Sequence, residues 1–217
     1  MVDVFEGTRG FIFDCDGTLL DTMRVWNDCE DELQRLAGRR FTQAEFEEVR
    51  SASITEAAAI FHNRFGIGES PEDVLDFMDG MLLDFYRHKV SPEPGVPELL
   101  TRAHEAGIPC TVVTSSPRRF VEAGLRRCGL FDFFVKVCTT DELNMSKSEP
   151  GIYRHALAAM DSRPEMTWGF DDAVYAIRVM RSLGIRTIGA YDCDETGSFE
   201  ALAAEATHAT RDLGSLL

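Results

Sequence analysis

Two aspartates, Asp14 and Asp16, stand two residues apart at the end of the apolar run Phe11-Ile12-Phe13. Carboxylates beside a core raise each other's pKa and carry a desolvation penalty. A divalent cation removes that cost, so the pair reads as a magnesium site in which one carboxylate can also attack an electrophile. Taken alone, the same residues could form an ordinary turn, with Gly17 and Thr18 supplying the turn chemistry. Thr114 closes a second apolar stretch and is followed by Ser115, Ser116 and Pro117. A hydroxyl beside free backbone N–H groups at a helix start suits a phosphate, although an ordinary helix cap at Ser116 accounts for the same text. Lys147 precedes the helix-opening Pro150, a place where lysine is commonly a surface charge. Asp171 and Asp172 follow Trp168-Gly169-Phe170, and adjacent like charges at a strand end again call for a cation.

These residues need elements to bring them together. From residue 92 onward, strands alternate with helices. Residues 109–114, 135–138, 167–170 and 186–190 read as strands. Helices follow from Pro117 toward Cys128, from Pro150 to about Met160 and from Val174 to about Leu183, with Gly129 and Gly184 as stops. Such alternation implies a parallel sheet with helices on both faces, and ligands bind such sheets beyond the carboxyl ends of the strands. Asp14, Thr114 and Asp171-Asp172 all fall at such ends. Residues 23–91 differ, because helical signals replace strand signals. Val25, Cys29, Leu33 and Leu36 repeat at helical spacing. Thr42 with Glu45 and Ser53 with Glu56 are capping boxes, and Ser70 precedes Pro71 as an N-cap. Val74, Phe77, Met78, Met81, Leu82 and Phe85 form an apolar stripe, and residues 91–97 read as the linker that returns the chain to the sheet.

The fold class is therefore α/β: a Rossmann-like, doubly wound parallel sheet with an inserted all-helical cap. The expected core is 1–22 with 92–217, and the expected cap is 23–91. A net charge of −15, from 22 basic and 37 acidic residues, opposes nucleic-acid and anionic membrane partners. The first residues carry no basic region followed by an apolar one, and no stretch reaches membrane-span length. A cytoplasmic location is expected. Cys15, Cys29, Cys110, Cys128, Cys138 and Cys193 show no Cys-x-x-Cys spacing and read as small buried hydrophobes.

The text from Asp14 to Thr22 resembles the first signature of the haloacid dehalogenase superfamily of phosphotransferases. Thr114, Lys147 ahead of Pro150, and Asp171-Asp172 resemble its second, third and fourth signatures, in order. The family usually has Pro directly after the lysine, where this chain has Ser148. The place of the insertion resembles the subgroup with an α-helical C1 cap, which includes phosphoglycolate-phosphatase and β-phosphoglucomutase-like enzymes. The resemblance implies phosphoryl transfer to water. Asp14 would be the nucleophile and Asp16 the acid and base. Magnesium would be held by Asp14, Asp172 and the carbonyl of Asp16, with Asp171 acting through water or a loop contact. Lys147, Thr114 and loop N–H groups near Ser115 would balance the phosphate. A small phosphorylated metabolite such as a sugar phosphate is the expected partner, and the chain is expected as a monomer or weak homodimer.

A mutase would keep all four signatures. However, β-phosphoglucomutases carry a His where this chain has Trp26 and an Arg near Ile54, so hydrolysis is the favoured reading. A dehalogenase would need neither Asp16 nor the acidic pair. Trp26 and Arg50, with Arg24 and Arg64, are candidate substrate contacts. Trp26 could equally be packing within the cap, and the arginines could be solvated helix-face charges.

Overall fold

The computed structural model describes residues 2–192 and 198–217, with the side chains of Gln43, Glu47, Arg50 and Ser51 left outside the description. Six strands form one sheet in the order β3-β2-β1-β4-β5-β6, and every neighbouring pair is parallel. They are β1 (Gly10–Phe13), β2 (Cys110–Thr114), β3 (Phe134–Thr139), β4 (Thr167–Asp171), β5 (Arg186–Ala190) and β6 (His208–Thr210). Side chains alternate across such a sheet. Phe11, Phe13, Val112, Trp168 and Phe170 pack to one side with α5 (Val96–Glu105) and α6 (Arg118–Arg127). Ile12, Val113 and Cys138 pack to the other with α8 (Pro150–Ala159), α9 (Val174–Ser182) and α10 (Phe199–Glu205). Both faces are covered, which is why the strands read as unbroken apolar runs.

Chain order reverses beside β1, where β2 lies on one side and β4 on the other. The carboxyl ends of β1 and β4 flank the crevice where a ligand fits best in this architecture. The Asp14 N–H donates to the Phe170 carbonyl at 2.8 Å, which extends the β1–β4 pairing beyond Phe13. That bond carries Asp14 level with Asp171. Below it, Phe13 stacks on Phe170 with ring centroids 4.4 Å apart.

Between β1 and β2 lie α1 (Met23–Ala37), α2 (Gln43–Ser51), α3 (Ile54–Phe65) and α4 (Pro71–His88). The Thr42–Glu45 and Ser53–Glu56 capping boxes form, and Ser70 accepts the Asp73 N–H ahead of Pro71. The outgoing and returning chains run side by side. Leu20 bridges to Pro92 in antiparallel fashion, Asp21 N–H donates to Ser91, and Glu93 N–H donates to Leu19. A second tie is Gly124 of α6, where a Cβ would sit 2.7 Å from Leu20 Cδ1 and 3.0 Å from Tyr86 Cδ1. A side chain at this position would force Leu20 and Tyr86 to shift.

Several expectations change. Leu36 is 46% exposed, because α1 outruns the surface it packs on. The buried ridge of α4 is Val74, Met78, Leu82 and Tyr86, with Phe77, Met81 and Phe85 half-buried beside it. The helix after β2 starts at Arg118 with Pro117 at its cap position, and Ser116 does not cap it. The linker ends early, since α5 begins at Val96 with Pro97 in its first turn. The sequence reading assigned no element to α5, to α7 (Thr140–Leu143), to α10 or to the three-residue edge strand β6. Cys15, Cys29, Cys110 and Cys138 are buried and Cys128 is half-buried, while Cys193 lies outside the described residues. None of the described helices is long and apolar enough to cross a membrane.

Glu93, on the returning chain, has a buried Oε1 without a hydrogen-bond partner among the described residues. Burial first, then the charges of Asp192 and Asp21, push its carboxyl up to about 7. A carboxyl that protonates more readily when folded costs stability as pH rises from its unfolded value through its folded one. Glu93→Gln is therefore expected to match the parent near pH 4. Above pH 7 it is expected to be more stable by about 1 to 2 kcal/mol, a figure discounted for water at a half-buried site. Urea melts at the two pH values measure this, and equal stability at both would contradict it.

Candidate active site

The four sequence signatures meet at the carboxyl end of the sheet. Asp14 leaves β1, Thr114 ends β2, Asp171 ends β4, and Lys147 comes from the loop before α8. Lys147 is 3% exposed, and its Nζ lies 2.9 Å from Asp14 Oδ1 and 2.8 Å from Asp171 Oδ2. Burial alone would lower the ammonium, but Asp14 and Asp171 together outweigh it and hold Lys147 well above its ordinary value. Asp171 Oδ1 accepts the N–H of Ala173 at 3.0 Å, which fixes the carboxylate under the lysine. The Tyr153 hydroxyl donates to the Lys147 carbonyl and pins the loop from below. Ser148, in place of proline, leaves this geometry intact.

Asp14, Asp171 and Asp172 each offer a carboxylate oxygen within 4.8 Å of the others, and all three residues are buried. Three carboxylates against the single Lys147 ammonium leave two negative charges in this group of four. One cation cannot balance three anions. Burial raises Asp171 and the neighbouring Asp14 adds to it, although Lys147 pulls the other way. An oxygen-only donor set with two excess charges fits a hard divalent cation. Gly17 adds a second fit: its φ is +71°, and a Cβ there would sit 3.0 Å from Asp172 Oδ2. The glycine keeps the loop after Asp16 against the acidic cluster.

Asp16 is treated differently. Its carboxylate is not in the acidic trio but is bound by hydroxyls. Oδ1 accepts from Thr22 at 2.8 Å and from Tyr86, and Oδ2 accepts from Ser116 at 2.6 Å. Burial, then the charge of Asp14, raises its pKa, while the three hydroxyls oppose the rise. The Asp16 side chain is therefore not gathered with the metal-type oxygens, and its expected metal role rests on its backbone carbonyl alone.

Ser116 and Tyr86 are the residues that sequence reasoning missed. Ser116 was expected as a helix cap, yet its hydroxyl serves Asp16. Tyr86 extends the buried α4 ridge from Leu82, and a tyrosine on such a ridge needs a polar partner for its hydroxyl. Its ring stacks on Phe120 at 5.4 Å, and it accepts the Trp26 indole N–H at 3.0 Å.

The trio opens into a cavity of about 310 Å³. Thr114, Ser115, Trp26 and Lys147 line it with Asp14, Asp16 and Asp172, so most expected site residues share one space. Thr114 Oγ1 accepts the Ser116 N–H at 3.0 Å. Trp26 borders the cavity and donates its N–H to Tyr86. Arg64 pairs with Glu48 on an exposed face, and Arg24 is exposed. Arg50 belongs to α2, but its side chain lies outside the described residues.

The family model described as haloacid dehalogenase-like hydrolase matches residues 8–184. The chain belongs to this family. A phosphoglycolate phosphatase of Photobacterium profundum is 32% identical over 172 residues, covering 72% of this chain and 74% of the relative. A phosphorylated carbohydrates phosphatase of Thermotoga maritima is 25% identical over 177 residues, covering 82% of each. Among solved structures, CbbY from Rhodobacter sphaeroides in complex with phosphate superposes with a TM-score of 0.78 at 23% identity, covering 96% of both chains. At that identity the superposition speaks for the fold.

The acidic trio makes a direct prediction. Millimolar magnesium should raise the thermal midpoint of the parent chain, because a ligand that binds only the folded state stabilises it by about 2.7 kcal/mol at 100 times its Kd. Asp172→Asn should lose most of that rise in a melting scan. An equal rise in both proteins would place the ion elsewhere.

Proposed function

We propose that this haloacid dehalogenase-like hydrolase is a magnesium-dependent phosphatase of small phosphomonoesters that works through an aspartyl-phosphate on Asp14. One observation carries the reading: two neighbouring carboxylates are held in opposite ways. Asp14 Oδ1 is paired with buried Lys147, and Asp14 lines the cavity. Asp16 is gripped by Thr22, Tyr86 and Ser116, and burial favours its protonated form. Carboxyl groups whose environments separate their behaviour take separate roles in acid and nucleophilic chemistry.

In the first step a carboxylate oxygen of Asp14 attacks phosphorus in line. The bond from phosphorus to the ester oxygen breaks, and Asp16 gives its proton to the departing alcohol. In the second step Asp16 takes a proton from water, the water oxygen bonds to phosphorus, and the bond to Asp14 breaks. Lys147 and the hydroxyl and N–H groups around Thr114 and Ser115 offset charge on the phosphoryl oxygens. Magnesium, held by Asp14, Asp172 and the Asp16 carbonyl, would supply further charge neutralisation at those oxygens. Asp171 serves by fixing Lys147 and by its loop contact to Ala173.

We also read residues 23–91 as a cap that moves on the paired chains at Leu20 and Pro92 to shut out bulk water. Tyr86 then has a particular place. It comes from α4 yet touches Asp16, so the proton donor is fully seated only with the helices docked.

A panel of phosphomonoesters with and without magnesium tests the main reading. Phosphate release should need the ion, and Asp14→Asn should lower kcat by at least about 1000-fold, as expected for loss of a nucleophile. Interconversion of hexose 1- and 6-phosphates without phosphate release would establish the mutase instead. Activity that survives Asp14→Asn would remove the nucleophile.

Tyr86→Phe separates positioning from packing. It should lower kcat by roughly 10-fold on alkyl phosphates with KM little changed, a loss in the range of misplaced acid catalysis. The loss should be smaller on 4-nitrophenyl phosphate, whose leaving group needs no proton. Equal losses on both would make Tyr86 merely structural.

A further inference from the structure

The cavity above Asp14 does not end at the phosphate site. It continues into the space between all four helices of the insertion. Leu33 of α1, Val49 of α2, Ile54, Ala57 and Phe61 of α3, and Met78 of α4 form its far wall. Each is at most 7% exposed, so these side chains are buried and nevertheless face open volume. Interiors pack to near-crystalline density, and an apolar void removes contacts that its lining would otherwise make. Four helices with this composition could close on one another. They instead hold an opening that runs from charged carboxylates at one end to aliphatic and aromatic carbon at the other. Hydrocarbon seated against this wall would regain the dispersion contacts that the opening forgoes.

Among the described residues, the polar lining comes from the loops at the carboxyl end of the sheet, from Tyr175 of α9 and from α1. Thr114, Ser115, Lys147 and the aspartates surround the phosphate end, and Asn27 and Glu30 lie along α1. A ligand matching this lining would carry its phosphate at one end and hydrocarbon at the other. A sugar would set several hydroxyls against Leu33, Ile54, Phe61 and Met78, where each unpaired hydroxyl is penalised.

We propose that the chain takes phosphomonoesters of apolar alcohols, with the hydrocarbon seated among Leu33, Val49, Ile54, Ala57, Phe61 and Met78 while the phosphate meets Asp14 and Lys147. The proposal rests on the phosphatase reading for turnover but on the cavity for selectivity.

The test is a homologous series of methyl, butyl, hexyl and octyl phosphate, with glucose 6-phosphate and phosphoglycolate as polar comparators. The kcat/KM should rise by about 4-fold per added methylene until the cavity is filled, the increment expected for burying one methylene. Ala57→Leu, which fills part of the cavity, should flatten that slope. In parallel, calorimetry of alkylphosphonates on Asp14→Asn should show affinity rising with chain length. A flat series with either polar ester turned over fastest would overturn the proposal. An unchanged slope in Ala57→Leu would place the hydrocarbon elsewhere and overturn it as well. No phosphate release from any ester, together with phosphonate affinity that rises with length, would end the phosphatase reading and uphold the apolar site.

Discussion

The arrangement depends on one buried cation. Lys147 sits between Asp14 and Asp171, fixed by two contacts under 3 Å. Without it, carboxylates from β1 and β4 would face each other in a space with little water, and such unpaired buried charge is strongly destabilising. The sheet brings the acids together through its register, because the Asp14 N–H bonds to Phe170, the residue before Asp171. The lysine makes that register tolerable. Its loop is held in turn by Tyr153 and by the helix opening at Pro150. Site and fold are therefore a single electrostatic problem: the sheet concentrates negative charge, and Lys147 offsets part of it. The remaining charge is what suits a divalent ion.

Around that centre the division of labour is spatial. The sheet supplies rigid positions for Asp14, Thr114 and Asp171, each at the end of a strand buried on both faces. The insertion supplies Tyr86, which reaches Asp16, and the apolar wall behind the cavity. Leu20 and Gly124 join the two. The first lies in the paired chains that lead out and back, and the second removes a side chain where α4 meets α6. A side chain larger than hydrogen at Gly124 would push Tyr86, and with it a hydrogen bond to Asp16.

What was legible in the sequence follows from the range of the forces involved. The strands that end at Asp14, Thr114 and Asp171 could be read because a sheet covered on both faces demands continuous apolar runs, and charges that interrupt such runs stand out. The capping boxes at Thr42 and Ser53 were legible because they are local, closing within four residues. The three-residue β6 was not, since an edge strand that short carries no periodicity. Leu36 misled because helical spacing says which residues share a face, not where the neighbouring surface stops. Ser116 and Tyr86 were missed for a deeper reason. Their hydroxyls act on Asp16 across separations of 100 and 70 residues, Ser116 from the loop after β2 and Tyr86 from the docked α4, and no local pattern encodes either contact.

The central claim is that Lys147 is coupled energetically to the carboxylates it bridges. A double-mutant cycle of Lys147→Met and Asp171→Asn, followed by urea unfolding without magnesium, measures this directly. Lys147→Met should cost about 3 to 5 kcal/mol by leaving buried carboxylates unpaired, and Asp171→Asn should cost less, because Lys147 keeps its contact with Asp14. The double change should cost less than the sum of the two by about 1.5 to 3 kcal/mol. Strict additivity would contradict the account, because the lysine and the acids would then be neighbours without being partners.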